Sequence, residues 1–349
     1  EMSKVKNYKV SNTYKNIPQT IVFVLGESVN SSHMPANGYY RNTTPLLLKQ
    51  QNITFIKNTV SCATYTAMAQ PCMVKPITRN NLFSFNDNLF KDGGSLFNNS
   101  FMSGWLLADT NINSFAVIFG RLGYKVISVK NSDYLKEGTL RAIWNNKLFD
   151  SNYSTNGYVR GGVEREKYQD GFKKALLEKA DKKIIMVYLI GSHCDYPSKF
   201  EDKDGKFKPY KGADCMPNGS IEKNNNAYDN TIIYMDKLMN WTIETLKQSN
   251  QNAMLFYFSD HGENTTDKTQ AYHGMPYVSA PKDVINPAAF TWFSNNWLKN
   301  IDKNAYKAMQ KYKTKEFSHD NIFHSVLDCA KIEGKYINKK QSLCYEANK

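Results

Sequence analysis

Two cysteines bracket a run of small and hydroxylated residues, Ser61-Cys-Ala-Thr-Tyr-Thr-Ala-Met-Ala-Gln-Pro-Cys72, which contains Thr64 and Thr66. A threonine hydroxyl is a poor nucleophile at neutral pH unless a base or a metal ion removes its proton. Metal ligands of a suitable kind are spread along the chain: Glu27 in Gly26-Glu27-Ser28, and Asp260 and His261 in Ser259-Asp260-His261-Gly262-Glu263. Zinc accepts carboxylate oxygens and imidazole nitrogens, and Thr66 Oγ would complete a four-coordinate site. A metal there would lower the pKa of the hydroxyl and supply the activation that threonine lacks. If Thr66 opens a short helix, the backbone N–H groups and the helix dipole also favour negative charge at that point. His193 and His273 could bind a second ion or hold the oxygens of a phosphoryl group. Each residue alone has a plainer role, as a closed turn, a solvated glutamate, a helix cap or a packed histidine. His33, His319 and His324 keep that plainer role; the joint placement of the others favours a metal site.

The placement follows from the elements. Thr20 to Leu25 is a continuous apolar run bounded by Pro18 and Gly26, the pattern of a central strand buried on both faces. Lys183 to Ile190 and Ala253 to Phe258 read the same way, and the three strands end at Glu27, at His193 and at Asp260-His261. In open α/β sheets, ligands bind just beyond the carboxyl ends of strands. Helices are expected near 44–48 (opened by Thr44-Pro45), 114–122, 164–182, 226–247, 303–315 and 319–330, and further strands at 53–60, 124–129 and 288–293. Asn80 to Asn113 is expected to cover the core as irregular structure or short helices. Alternating strands and helices with chemistry at strand ends predict an α/β fold, a three-layer αβα arrangement around a doubly wound, mostly parallel sheet.

The 349 residues carry a net charge of +13, but the lysines are scattered and no nucleic-acid-binding signature accompanies them. Attraction to an anionic membrane surface fits the charge equally well. The longest apolar runs fall far short of the roughly 20 residues that span a bilayer. Six cysteines occur as neighbouring pairs, Cys62 and Cys72, Cys194 and Cys215, Cys329 and Cys344, and none forms a CxxC, which argues against zinc ribbons and thioredoxin-type sites. Sequential disulfides are expected, because each pair closes a short loop worth roughly 3 kcal/mol in the chain-entropy model. The other reading is three pairs of buried thiols. Disulfides persist in secreted, periplasmic or lumenal compartments.

Gly26-Glu-Ser-Val-Asn-Ser-Ser-His-Met34, followed by Asn37-Gly-Tyr-Tyr-Arg-Asn-Thr-Thr-Pro45, resembles the opening motif of the lipid A phosphoethanolamine transferases. That family lies in the sulfatase/alkaline-phosphatase superfamily and includes the mobile colistin-resistance enzymes. Cys62-Ala-Thr-Tyr-Thr66-Ala with Pro71-Cys72-Met73 is similar to its nucleophile loop, and Tyr228-Asp-Asn-Thr-Ile-Ile-Tyr-Met-Asp236 to its long-helix motif. Ser259-Asp-His-Gly-Glu263, and Tyr272-His-Gly-Met-Pro-Tyr277 with Ala280-Pro281, resemble its last two blocks.

The resemblance implies a sulfatase/alkaline-phosphatase-like fold with Thr66 as nucleophile and Glu27, Thr66, Asp260 and His261 around one tight zinc. His193 and His273 would serve a second metal or the substrate phosphate. Tyr188, five residues before His193, stands where some members have another histidine, so the second-metal site is expected to be weaker or differently built. Asn131 and Lys136 resemble the family's substrate-binding pair, with a spacing one residue longer. Asn30 and Ser32 stand where the family often has charged residues. The resemblance further implies that residues 1–349 form a single periplasmic catalytic domain, a monomer, of a bacterial inner-membrane protein whose N-terminal transmembrane domain lies outside this chain. Phosphatidylethanolamine would be the donor and lipid A or another envelope molecule the acceptor. A formylglycine sulfatase needs C/S-x-P-x-R, and Thr66-Ala-Met-Ala-Gln has neither the proline nor the arginine. A phosphoglycerol transferase or phosphodiesterase of the same superfamily is the nearest alternative, and a non-catalytic basic module for glycans or lipids the more remote one.

Overall fold

All eight residues of the first long strand, β1 (Gln19–Gly26), are buried, which requires cover on both faces of the sheet. The computed structural model describes residues 9–80, 114–131, 140, 143–154, 162–215, 219–265 and 272–346. Lys136 and nearly all of the predicted irregular stretch, residues 81–113, lie outside them. The other strands of the main sheet are β2 (Ile53–Ile56), β3 (Lys125–Lys130), β4 (Ser151–Ser154), β5 (Lys182–Tyr188), β6 (Ala253–Ser259) and β7 (Ala289–Phe293). The seven lie in the order β2-β7-β6-β1-β5-β3-β4. Pairings from β6 through β4 are parallel, and β7 alone runs against its neighbours β6 and β2.

Side-chain alternation along β1 divides the core in two. Ile21, Phe23 and Leu25 pack on one face with α2 (Phe115–Arg121) and α5 (Ile322–Cys329). Val22 and Val24 pack on the other with α3 (Gly162–Leu177) and α4 (Ile221–Gln248). The result is the three-layer αβα sandwich. The 28-residue α4 is capped by Ser220, whose side chain accepts from Lys223 N, and it buries Ile232, Met235, Leu238, Met239, Ile243 and Leu246. Each such side chain contributes about 1.5–3 kcal/mol on burial.

Three expectations change. The single strand expected over 53–60 divides: β2 joins the main sheet, whereas Asn58–Val60 pairs in parallel with Glu316–Ser318 in a separate two-stranded sheet. The helix expected from Thr44-Pro45 is reduced to a 3-10 turn, Leu47–Lys49. Its leading N–H groups, on Leu46 and Leu47, are capped by the Asp236 carboxylate on α4 at 3.0 and 2.8 Å, and the turn ends where Gln50 becomes extended. The polar helix near 303–315 is a short α-helix, Ala305–Met309, continued by a 3-10 turn, Gln310–Lys313. The cysteines form three bonds, Cys62–Cys72, Cys194–Cys215 and Cys329–Cys344.

Candidate metal centre

Gly26 and Ser259 are in register on the neighbouring strands β1 and β6, so Glu27 and Asp260 leave adjacent strand ends side by side. Gly26 is needed for close approach, since a Cβ there would lie 2.3 Å from the Tyr257 hydroxyl. Ser28 then turns the chain with φ 64°, a left-handed conformation that costs a non-glycine residue about 1 kcal/mol or more. It is held by Ser28 N donating to Asp260 Oδ1 at 3.2 Å and by the Tyr228 hydroxyl donating to Ser28 O at 2.6 Å. Asn30 fastens the opposite loop: its Nδ2 donates to Glu263 O at 2.8 Å and its Oδ1 accepts from Glu263 N at 2.5 Å. That amide clamp, fully buried, stands at one of the two positions noted as departures from the resembling family's pattern.

Thr66 is the first residue of α1 (Thr66–Val74), after an extended Tyr65. The Cys62–Cys72 bond ties the incoming loop to the body of α1. From the other side, Gly274 N donates to Thr64 O at 2.8 Å, Thr64 Oγ1 to Met275 O at 2.7 Å and Tyr277 OH to Ser61 O at 2.9 Å. Thr66 is thereby fixed with Oγ1 3.0 Å from Glu27 Oε1 and 3.3 Å from His261 Nε2. Glu27, Asp260 and His261 offer ligand atoms that all lie within 4.8 Å of one another.

The electrostatics suit a cation. Glu27 and Asp260 are fully buried, and among the described residues no lysine or arginine pairs with either. Burial pushes both carboxyls up, Asp260 to about 6. Asp260 Oδ2 is a buried oxygen without a hydrogen-bond partner among the described residues, 3.7 Å from His261 Nε2. Burial depresses His261 to about 4, which keeps the ring neutral. Its Nδ1 lies 2.9 Å from Gly262 O, an acceptor that assigns the proton to Nδ1 and leaves the Nε2 lone pair facing Thr66. Two buried carboxylates, a neutral imidazole and a hydroxyl are a donor set that fits zinc.

His193 and His273 lie against the same cluster. His193 Nδ1 meets Cys194 O at 2.6 Å and its Nε2 lies 3.5 Å from Glu27 Oε1. The His273 ring stands 4.6 Å from that of His261 and 5.6 Å from that of His193. Burial opposes charge on His273, but Glu263 at 3.0 Å overcomes it and raises the imidazole to about 9. For Glu263, burial acts to raise the pKa, and His273 outweighs it and lowers it.

With this geometry in place, comparison with known proteins assigns the chain. The sulfatase family model matches residues 19–332. The chain belongs to the sulfatase family. It is 25% identical over 318 residues to phosphoethanolamine transferase EptA of Escherichia coli (strain K12), covering 90% of this chain and 54% of that protein. It is 29% identical over 287 residues to phosphatidylethanolamine transferase Mcr-1 of Escherichia coli, covering 79% and 48%. The chain thus spans about half the length of the curated relatives it matches. Among solved structures, the C-terminal periplasmic domain of EcEptC from Escherichia coli superposes with a TM-score of 0.78 at 22% identity, over 97% of this chain and 89% of that one. The same domain has been solved in complex with Zn, TM-score 0.76.

In this sulfatase-family chain, Glu27, Thr66, Asp260, His261, His193 and His273 form one cluster. Asn131 sits at the end of β3, buried, its Oδ1 accepting from Ile190 N at 2.9 Å, and Lys136 lies outside the described residues. Two residues given no contact in the centre from the sequence, one of them Tyr188, noted only as a departure at the second-metal site, belong to it. Glu263 is fully buried, paired with His273, and its Oε2 lacks a hydrogen-bond partner among the described residues. Tyr188 donates its hydroxyl to Glu27 Oε2. The position of Glu263 three residues after Asp260 was a signal available in the motif; the contact of Tyr188 depends on strand register.

Proposed function

We propose that the chain is the catalytic domain of a zinc-dependent phosphoethanolamine transferase. It takes phosphoethanolamine from phosphatidylethanolamine, carries it on Thr66 and passes it to lipid A or another cell-envelope acceptor. The observation that carries this reading is the position of Thr66 Oγ1, 3.0 Å from Glu27 Oε1 and 3.3 Å from His261 Nε2 at the start of α1. The phosphoethanolamine transferases among its relatives support the choice of transferred group. The domain would act as a monomer at the periplasmic face of the inner membrane, tethered by a transmembrane domain outside this chain. No helix of the described residues is long and apolar enough to cross a membrane.

Glu27, Thr66, Asp260 and His261 would hold the zinc, which when bound makes the threonine hydroxyl acidic and offsets charge on the phosphoryl oxygens. The remaining work falls to the chain. Thr66 Oγ1 attacks phosphorus, the bond from phosphorus to the diacylglycerol oxygen breaks, and diacylglycerol leaves with a proton. With Glu27 engaged in holding the metal, the hydroxyl proton leaves to solvent, and His193 Nε2, 3.5 Å from Glu27 Oε1 on a side chain 26% exposed, is placed to give a proton to the leaving oxygen. His193 and His273 hold the phosphoryl oxygens, with Asn131 and Lys136 assigned to the donor, and the start of α1 favours the negative charge. An oxygen of the acceptor then attacks phosphorus, and Thr66 Oγ1 leaves and regains a proton.

Intact-mass and peptide analysis after incubation with phosphatidylethanolamine vesicles should find one phosphoethanolamine group, on Thr66. Thr66→Ala should lose both adduct and transfer while keeping the unfolding curve of the zinc-free protein. Transfer retained by that variant defeats the scheme. Parallel incubation with phosphatidylglycerol sets the donor, since a phosphoglycerol adduct in its place would reassign the enzyme.

A further inference from the structure

The amino edge of the sheet, opposite the metal centre, collects side-chain amides. Asn52 precedes β2, Asn250 and Gln251 precede β6, and Asn295 and Asn296 follow β7, which runs against both of those strands. The seven residues of β6, roughly 20 Å of extended chain, separate this edge from Asp260. With Gln51 and Trp292 these residues line a cleft of about 310 Å³, at the small end of the ~300–1,000 Å³ usual for ligand sites. Six of its ten lining residues carry a side-chain amide. Lys247 is the one charged residue in that lining, and it is engaged: its Nζ donates to Gln50 Oε1 at 2.6 Å and to Glu244 Oε1 at 2.9 Å.

The amides bond to one another in a way that leaves both kinds of hydrogen-bonding group over. Asn52 Nδ2 donates to Asn295 Oδ1 at 2.8 Å, so Asn52 Oδ1 can still accept and Asn295 Nδ2 can still donate. Asn296 Nδ2 donates to Asn250 O at 2.7 Å and to Asn250 Oδ1 at 2.9 Å, which leaves Asn296 Oδ1 as an acceptor and Asn250 Nδ2 as a donor. Gln251 Oε1 accepts from Thr20 Oγ1, and its Nε2 is left to donate.

We propose that this cleft is a carbohydrate site, taking one neutral pyranose unit of a glycan. Each hydroxyl of a sugar diol both donates and accepts, and uncharged acceptors and donors side by side are its complement. A phosphate or carboxylate would find no free countercharge there. An apolar ligand would find little to cover, since Leu246 and Trp292 are almost fully buried. The site lies apart from Thr66 and does not rest on the reading of the metal centre. A glycan held at this edge raises the local concentration of whatever is attached to it.

NMR titration of the isotope-labelled full chain tests this. Trp292 Nε1 is buried without a hydrogen-bond partner among the described residues, and its N–H signal, assigned by its absence in Trp292→Phe, reports on the cleft. Maltotriose or N,N′-diacetylchitobiose should move that signal and the side-chain amide signals of Gln51 and Asn295 saturably, with a dissociation constant of about 1 mM. Gln51→Ala combined with Asn295→Ala, both at exposed positions, should keep the wild-type unfolding curve and weaken binding about tenfold. Asn295→Asp, which replaces the free donor with a charge, should weaken it as well. No saturable response to either saccharide overturns the proposal. So does a response to inorganic phosphate or to a blocked tripeptide in their place, and so does wild-type affinity in both variants.

Discussion

Two clusters of carboxylate and histidine lie in the same interior, and they are electrical opposites. Asp229 on α4 is fully buried and saturated: Oδ1 meets His33 Nδ1 at 2.7 Å, and Oδ2 accepts from Tyr39 OH at 2.8 Å and Arg41 Nη1 at 2.9 Å. The guanidinium supplies the countercharge and also donates to Asn226 Oδ1 at 2.8 Å. Glu27 and Asp260 are buried to the same degree, with no lysine or arginine partner among the described residues and with Asp260 Oδ2 left over. Depth is equal, so the difference lies in the partners. A carboxylate brought inside with its own cation is a finished structural element; Glu27 and Asp260 have the His273 imidazole near them, but it is already paired with Glu263, and they stay costly until a cation arrives from outside. That contrast identifies which of two chemically similar clusters is the working site.

The largest expected effect breaks the finished cluster. Asp229→Ala strands Arg41 and should cost about 3–5 kcal/mol, the usual penalty for removing one partner of a buried pair. Urea unfolding should show the loss equally with zinc and with chelator. Asp260→Asn should do the reverse. The amide keeps an oxygen for Ser28 N and His261 N while deleting an uncompensated charge, so the zinc-free protein should be as stable as wild type or more so. It should also lose the stabilisation that zinc gives wild type by binding only the folded state. If both variants behave alike in chelator, the two clusters are not different in kind.

A change of pH sharpens the same contrast on a smaller scale. In the zinc-free protein Asp260 titrates at about 6, above its ordinary value of 3.8. Between those two values the folded state binds more protons than the unfolded state, so stability falls as pH rises through 6 and grows as pH is lowered. From pH 7 to pH 5 this one group should add about 1 kcal/mol to the zinc-free chain. The zinc-loaded chain should lose stability over the same interval, because protons compete with the metal for its ligands. His261, held near 4 by burial, works the other way over this interval, so the Asp260 contribution is read by difference: in chelator, the urea midpoint of wild type should rise relative to that of Asp260→Asn as the pH goes from 7 to 5.

How much of this was legible in the sequence follows from which features are local. The unbroken apolar run from Thr20 to Leu25 reads as a strand covered on both faces, as it is, and parallel strands deliver their carboxyl ends to one edge. Glu27, Asp260 and His261 could therefore be grouped without coordinates. Features set by distant partners could not. Thr44-Pro45 carries a helix-start signature, but neither the cap that Asp236 supplies from 190 positions away nor the extended turn at Gln50 is marked by the local residue types. The run 53–60 reads as one strand because nothing in residue type marks where the chain passes from one sheet to another. Tyr188 marks a departure from the family pattern, but that its hydroxyl reaches Glu27 depends on the β1–β5 register.

The smallest test isolates one hydrogen bond in the finished cluster. Burial, with Asp229 beside it, pushes the Tyr39 phenol well above its ordinary range, so it remains a donor at every working pH. Tyr39→Phe removes that donor while Asp229 keeps both Arg41 and His33, so no charge is left unpaired. The cost should be about 1 kcal/mol, the net worth of a single hydrogen bond, against the several kcal/mol expected for Asp229→Ala. Zinc affinity should stay at the wild-type value, because Tyr39 touches none of the metal-site carboxylates. His33 Nε2 at 3.2 Å from Thr265 Oγ1 is a contact through which the cluster could reach the loop that carries Asp260 and His261. A change in zinc affinity in Tyr39→Phe would therefore mean that this contact couples the two clusters, and that the saturated one shares in the work of the other.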